Sequence, residues 1–355
     1  MIVLQADQWR RIGRALFVAA GATESNATRV TESLVDSNLA GHDSHGVARI
    51  PQYLQAISSG QLDPAGQPVV VKETGNSFLV DGQWTFGQVG AELAMKRAIQ
   101  QAREHRIAVA GLIRAHHIGR LGEYSEMACQ AGMIGMVMVG GIGGGGRTSG
   151  GVAPYGGSRP VFGTNPICFG LPAGSQPPVL SDFATSAVAA GKVSMARAKG
   201  EKLPPGCIVD REGNPTTDPE DYYAGGMLLP FGGHKGYGLA VVIELLGQAL
   251  TGADRCAVEK GRGGVYQQAG NLFIVLDPSI FRPVEEYTAA ADAILQRVKA
   301  VPPAPGFGEV LLPGELERRS KGRRQQEGIG LPDNSWETLQ QEASRLGVDL
   351  AALLA

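Results

Sequence analysis

The chain is expected to adopt an α/β (α+β) fold with a helical part attached, and three observations carry that expectation. Apolar residues recur at helical spacing through the first 60 residues; short β-branched runs alternate with helical segments from about residue 67; and charged, helical composition returns after the proline-rich break "VPPAPGFG". At 355 residues there is room for about two domains.

Taken in order, Trp9, Ile12, Leu16 and Phe17 form one apolar stripe ended by Gly21. Val30, Leu34 and Leu39 form a second, with Thr23 placed to cap its start and Gly41 to stop it. From Gln67 onward "PVVVKE" and "SFLVDG" read as strands, "GAELAMKRAIQQAREH" as a helix and "IAVAGLI" as a strand. "GEYSEMACQAG" then reads as a helix and "IGMVMV" as a buried strand. Later, "GYGLAVVIELLGQALTG" is apolar almost all round and is expected to be a buried helix. "NLFIVLD" reads as a strand, "TAAADAILQRVKA" as an amphipathic helix and the tail from Arg318 as charged helix.

The balance of 32 basic and 34 acidic residues gives no reason to expect nucleic acid or an anionic membrane as partner. A small molecule or a second copy of the chain is the expected partner. Four separated cysteines (Cys129, Cys168, Cys207, Cys256) fit reduced thiols, and "ALFVAA" is too short for a signal or membrane segment. The cytoplasm is therefore the expected location.

Behind the strand "IGMVMV" stands a literal G-x-G-x-x-G (Gly141, Gly143, Gly146). A Rossmann fingerprint needs a helix to follow, its N-terminus facing the pyrophosphate, and an acidic residue about 20 positions on. Here "RTSGGVAPYGGSRP" follows, rich in Gly and Pro, and "RPVFGTNP" offers no Asp or Glu. A flexible glycine loop beside a site is the better reading, with Arg147 as a mobile anion contact.

Five of the six histidines lie in three motifs: His42 and His45 in "GHDSHGVARIPQY", His116 and His117 in "RAHHIGRLGEY", and His234 in "FGGHKGYGLA". Histidine suits the proton exchanged when a carbonyl becomes an alcohol near neutral pH, though each is equally well a structural residue. Pro51 breaks helical continuity after Arg49, so Ser44, His45 and Gly46 are expected in a turn. Arg49 would then stand at a helix entrance, where its fork suits a carboxylate. Tyr53, four residues on, is a second candidate on the substrate side.

Ser181 and Asp182 end the strand of "PVLSDFATSAVAAGK", where a carboxylate binds a ribose hydroxyl, orients a histidine or caps a helix. Lys235 beside His234 is an anion contact or an exposed lysine. A Ser44–His45–Asp182 hydrolase triad is disfavoured, because adjacent Ser and His in a turn do not easily face each other and no G-x-S-x-G exists. A metal site is disfavoured as well, since H-x-x-H lacks a spaced third ligand.

Blocks along nearly the whole chain resemble the malate/L-lactate dehydrogenase family of nicotinamide-dependent oxidoreductases, which lacks a Rossmann fold. They are "NLAGHDSHG", "FGQVG", "HHIGRLG", "FGTNPICF", "SDFATSAVAAGK", "PPGCIVD", "GNPTTDP", "HKGYGLA", "LLPGELE" and "QEGIGLPDNSW". The resemblance implies a non-Rossmann NAD(P)-binding central α/β domain (67–299) plus a helical domain formed by the N- and C-terminal segments (1–66 with 300–355), and a homodimer. It implies hydride transfer between NADH or NADPH and a 2-oxo acid, without metal. Relatives that reduce cyclic imino acids leave that reaction open as an alternative, and a catalytically silent NAD(P)-binding protein is a third.

Carried over, His45 is the proton donor and lies close to the nicotinamide, with Ser44 and Asp182 as relay partners and His117 as the other catalytic histidine. Cofactor contacts fall on Gly119, Arg120, Leu121, Leu180, Ser181, Asp182, Phe183, Ala184, His234, Asn271, Gly314, Glu315, Leu316 and Glu317, with Lys235 alongside. The chain departs from the family pattern at Gly140, Gly141 and His116 and in its longer glycine connection (140–151), which is expected to loosen one wall of the pocket.

Overall fold

The computed structural model describes residues 1–143, 151–258 and 261–354. Strand β1 (Ile2–Leu4) leads into helices α1 (Ala6–Ala19) and α2 (Glu24–Leu39). Trp9, Ile12, Leu16 and Phe17 are fully buried, and the Thr23 side chain caps α2 by accepting from the Asn26 N–H at 3.2 Å. Two short 3-10 turns, Asp43–His45 and Val47–Arg49, precede α3 (Ile50–Ser58), which holds Pro51 in its first turn.

The alternating segment builds β2 (Val69–Thr74), β3 (Ser77–Asp81), α4 (Gly87–His105), β4 (Ile107–Ile113), α5 (Gly122–Gln130) and β5 (Ile134–Gly140). Then come β6 (Ile167–Leu171), β7 (Val179–Phe183), α6 (Ala190–Lys199), β8 (Ile208–Val209), β9 (Pro215–Thr216), α7 (Pro219–Tyr223) and β10 (Met227–Leu228). Helix α8 (His234–Glu244) runs into one π-helical turn (Leu245–Ala249) ahead of β11 (Gly270–Leu276) and α9 (Val284–Lys299). The chain ends with α10 (Glu315–Glu327), β12 (Ile329–Leu331), α11 (Asp333–Arg345) and α12 (Leu350–Leu354).

Seven strands form one sheet in the order β2-β3-β4-β11-β5-β6-β7, antiparallel throughout except for the β3–β4 pair. A doubly wound nucleotide fold needs a parallel sheet, so the topology itself removes the Rossmann reading of the glycine run. Side chains of α4 and α5 pack on one face of the sheet, and Leu239, Ile243 and Leu246 of α8 and its π turn pack on the other.

The paired glycines where β5 ends and β11 begins serve that second face. A Cβ on Gly140 would sit 2.6 Å from the Ile243 carbonyl, and one on Gly270 would run into the Gly247 carbonyl. Their bareness lets helix backbone lie directly on sheet backbone. Gly146 and Arg147 lie outside the described residues.

The expectation of a wholly buried helix over 236–252 is corrected here. Only one side of α8 and its π turn faces the sheet, while Val242, Leu245 and Leu250 are 48, 58 and 64% exposed. Helix α9 is amphipathic as read, yet none of its residues is buried.

The two ends of the chain meet. Strand β1 pairs antiparallel with β12, and the Trp9 indole donates to the Ile329 carbonyl at 3.1 Å. Ile329, Leu331, Leu339 and Ala343 complete the core of α1, α2 and α3. Helix α10 is tied to the same layer by Lys321–Asp36 at 2.6 Å and by an Arg324–Asp43 ion pair. All four cysteines are free thiols.

Candidate active site

The turn carrying Ser44 and His45 is built from its neighbours. Asn38, near the end of α2, accepts from the Val47 N–H at 2.7 Å and donates to Asp43 at 2.7 Å. Gly46 is required beside it, since any Cβ there would overlap the Asn38 amide. Gly191 at the start of α6 presses on the other side, where a Cβ would lie 2.7 Å from that of Ser44.

Within this turn Ser44 Oγ and His45 Nδ1 stand 3.1 Å apart. The objection that adjacent Ser and His cannot face each other is therefore wrong for this 3-10 geometry. Arg49, one turn on, donates from Nε to the Ser44 carbonyl at 2.6 Å and from Nη1 to Gln52 Oε1 at 2.5 Å. Its Nη2 has no protein partner among the described residues.

The His45 ring stacks on His117, with centroids 5.3 Å apart and planes 28° from parallel. His117 Nδ1 lies 2.7 Å from Tyr53 Oη, which accepts from Gln88 Nε2 at 3.0 Å. Gly87 makes this possible, because a side chain there would collide with the His116 and His117 carbonyls. Tyr53 is fully buried. It stands behind His117 and holds it, whereas the sequence had suggested the substrate side.

His116 is 5% exposed and packs edge-on against Tyr266 with centroids 4.7 Å apart, and its Nδ1 has no hydrogen-bond partner. Beside it opens a cavity of about 260 Å³ walled by Gln52, Gln55, Ser59, Gln61, His116 and Tyr266, with Val265 adjoining.

Electrostatics keep this cluster neutral. Burial pushes His45 down to about 3, aided by the charges of Arg49, His42 and Arg120. Burial and then Arg49 bring His116 to about 4, and His117 is held well below the ordinary histidine value by burial, Arg49 and its two histidine neighbours.

A second group of predicted residues gathers around the end of β7. Asp182 Oδ2 accepts from the Gly122 N–H at 2.7 Å and so caps α5. It makes no hydrogen bond to His45, which corrects the relay geometry read from the sequence. Its carboxyl is raised by burial against the Gly122 N–H and the charges of His42 and Arg120. Arg120, 4% exposed, pairs with Asp36 at 2.9 Å.

The Leu180 N–H donates to the Pro313 carbonyl at 3.2 Å, which sets Gly314 (φ +93°) and Glu315 against β7. Glu317 reaches His42 Nε2 at 3.4 Å, Glu315 pairs with Lys299 at 2.9 Å and Leu316 is exposed. Ser181, Phe183 and Ala184 are half-buried, and Gly119 takes φ +80° in the turn before α5. Leu121 is a core residue, and Asn271 is buried within the sheet with its amide on the Leu112 carbonyl at 3.2 Å.

The loop after β7 joins both regions. Its Thr185 carbonyl accepts from the Phe231 N–H and its Ala187 N–H donates to the Leu229 carbonyl, so the start of α8 leans on the loop that ends against Ser44. There Gly232 and Gly233 both have positive φ, and His234 and Lys235 are exposed at the helix N-terminus. Such an end, where the positive pole of the helix meets an exposed lysine, suits a phosphate. Among the described residues no group of three or more His, Cys, Asp or Glu side chains is placed to hold a metal, and no helix is long and apolar enough to cross a membrane.

A mixed sheet with helices on both faces and two stacked histidines beside an arginine fork define an enzyme-like site outside the nucleotide-binding folds of parallel sheets. The chain belongs to the malate/L-lactate dehydrogenase family, whose model matches residues 4–340. It is 36% identical over 351 residues to the malate/(S)-sulfolactate dehydrogenase of Methanothermus fervidus, covering 98% of this chain and 99% of that one. It is 37% identical over 345 residues to hydroxycarboxylate dehydrogenase B of Escherichia coli K12, with 96% and 94% covered. Its fold matches the solved sulfolactate dehydrogenase of Methanocaldococcus jannaschii with a TM-score of 0.89 at 34% identity, covering 99% of both chains.

Sequence reasoning missed Gln88, Asn38, Gln52 and Tyr266. Gln88 and Asn38 did carry a signal, since Gln88 is the third letter of "FGQVG" and Asn38 the first of "NLAGHDSHG", blocks that carried the resemblance without giving either residue a role.

Proposed function

We propose that the chain is a nicotinamide-dependent oxidoreductase that interconverts 2-oxo and 2-hydroxy acids. One observation carries this reading: two stacked, neutral histidines, each with Nδ1 engaged by a hydroxyl, stand beside an arginine with an open Nη2. The bound nicotinamide would supply or take the hydride. Arg49 grips the substrate carboxylate, and pairing its charge removes part of what suppresses His45. His45, oriented by Ser44, then gives a proton to the carbonyl oxygen as the 2-oxo acid is reduced and takes it from the hydroxyl in the reverse direction. The remainder of the substrate, beyond its C2, faces the cavity beside His116.

For the dinucleotide we assign the start of α8, with His234 and Lys235, and the surfaces around Gly119–Arg120, the end of β7 and Gly314–Glu317. Asp182 supports that surface by fixing α5. We further propose the division into 1–66 with 300–355 and 67–299, a homodimer that covers Val242, Leu245 and Leu250, and a cytoplasmic location.

The test is the loss of NADH or NADPH absorbance with pyruvate, oxaloacetate, 2-oxoglutarate, phenylpyruvate and a cyclic imino acid. Turnover of an open-chain 2-oxo acid is expected. Turnover of the imine alone would replace the reading with an imine reductase, and silence with bound NADH would leave a binding protein. His45→Ala is expected to lower kcat by about 10²–10⁴-fold while cofactor still binds by fluorescence titration; near-normal turnover would remove His45 from the mechanism.

A further inference from the structure

Tyr53 and Gln88 lie behind the reacting face, and their hydrogen bonds fix more than position. Gln88 Nε2 is 3.0 Å from Tyr53 Oη, and Tyr53 Oη is 2.7 Å from His117 Nδ1. Gln88 is wholly buried, and its Oε1 has no partner. As placed, the amide leaves its carbonyl and one N–H unpaired; turning it over would leave both N–H donors without acceptors, the costlier arrangement because a buried orphan N–H is tolerated less than an under-satisfied C=O. The amide therefore donates to Tyr53. With its oxygen accepting from Gln88, the Tyr53 hydroxyl gives its own proton to His117 Nδ1. That nitrogen carries no hydrogen, so the proton of the neutral ring sits on Nε2, to which no described residue hydrogen-bonds.

We propose that Gln88 and Tyr53 are positioning residues that lock His117 as the Nε2–H tautomer, making it a hydrogen-bond donor to the substrate and not an acceptor of the reaction's proton. The inference rests on the site being one for 2-oxo-acid chemistry. It divides the work between two rings that look equivalent in the sequence. His45 exchanges the proton, and its Nδ1 faces a serine hydroxyl that can either give or accept a hydrogen bond. His117 cannot take a proton at Nε2, because one is already there. A fixed neutral donor aimed at a substrate oxygen stabilises charge developing on it without any proton changing hands. The close seat of Gly87 on the His116 and His117 carbonyls makes Gln88 the first side chain of α4 able to reach this chain of bonds.

The experiment is ¹⁵N NMR of the histidine rings in the full-length protein, with kinetics on the same samples. In the parent protein His117 is expected to show a protonated Nε2 and a bare Nδ1. In Gln88→Glu the introduced carboxylate only accepts, so Tyr53 turns its hydroxyl to that carboxylate and His117 must donate from Nδ1, leaving Nε2 bare. With the tautomer inverted, kcat is expected to fall by about 10²–10³-fold, with the KM for NAD(P)H changed less than about twofold. Tyr53→Phe, which keeps the ring and its packing, is expected to give a mixture of tautomers and a smaller loss of kcat. A parent spectrum with Nδ1 protonated would overturn the proposal, as would full kcat in a variant whose tautomer is inverted. The spectra need no substrate. A locked Nε2–H in a protein that turns over no 2-oxo acid would therefore sink the functional reading and spare the tautomer.

Discussion

At the scale of single residues the histidines set how the molecule responds to acid. Folding lowers His116 from 6.5 to about 4, so between those values the unfolded chain binds a proton that the folded chain refuses. Its contribution is fully present above about pH 6.5 and is lost as pH falls toward 4, by ~3 kcal/mol for this residue alone. His116→Gln should flatten that part of the curve. Urea midpoints taken at pH 7 and pH 4.5 would check it, and an unchanged difference between parent and variant would show that His116 is not buried as a neutral ring. Sequence reached this residue, like His45 and His117, because five histidines in three short motifs invite a chemical hypothesis. It could not reach Gln88 or Tyr266, whose roles depend on partners brought in by the fold: Gln88 meets Tyr53 across 35 positions. Tyr53 was named for the right neighbourhood and the wrong side, since spacing along a chain does not say which atom faces the cavity.

Elements were legible where their periodicity was strong and one-sided. The stripes of α1 and α2 and the β-branched runs of the sheet follow from burial on one face, and Thr23 and Pro51 punctuate as their chemistry requires. Helix α8 was misjudged because an apolar circumference does not distinguish a helix inside the core from one whose outer face is left for another surface. Its glycines separate the two roles. Gly140 is pressed between backbones, so Gly140→Ala should cost about 1–3 kcal/mol or more, since a carbonyl cannot rotate out of the way. Gly238, on α8 itself, would place its Cβ where nothing lies within 4 Å. Gly238→Ala should raise stability by about 0.5–1 kcal/mol through helix propensity. Thermal unfolding of both variants decides the matter; equal effects would mean that the close approach of the π turn to β5 is not present in solution.

For the whole molecule, the organisation follows from the meeting of the two chain ends. Strand β12 and helix α11 are more than 300 positions from β1 and α1, yet Ile329, Leu331 and Leu339 are part of the same core as Trp9 and Leu16. Composition alone hinted at this, since charged helical sequence returns at the end, but only the resemblance joined the two ends into one domain. The arrangement also bears on catalysis. Arg324 of α10 pairs with Asp43, Asp43 takes the Asn38 amide, and Asn38 holds the turn of His45. Removing residues 329–355 should therefore do more than fray a terminus. It strips the acceptor from the Trp9 indole and uncovers the inner faces of α1 and α3, and the truncated chain is expected to lose cooperative unfolding of its helical layer. Trp9→Phe probes the same seam gently, losing a buried hydrogen bond and part of an indole for about 1–3 kcal/mol. If the seam supports the catalytic turn, Trp9→Phe should leave kcat intact at 25 °C and bring forward the temperature at which activity fails, in step with the unfolding of this layer. Loss of activity well below that transition would show instead that the chain ends steer the site directly.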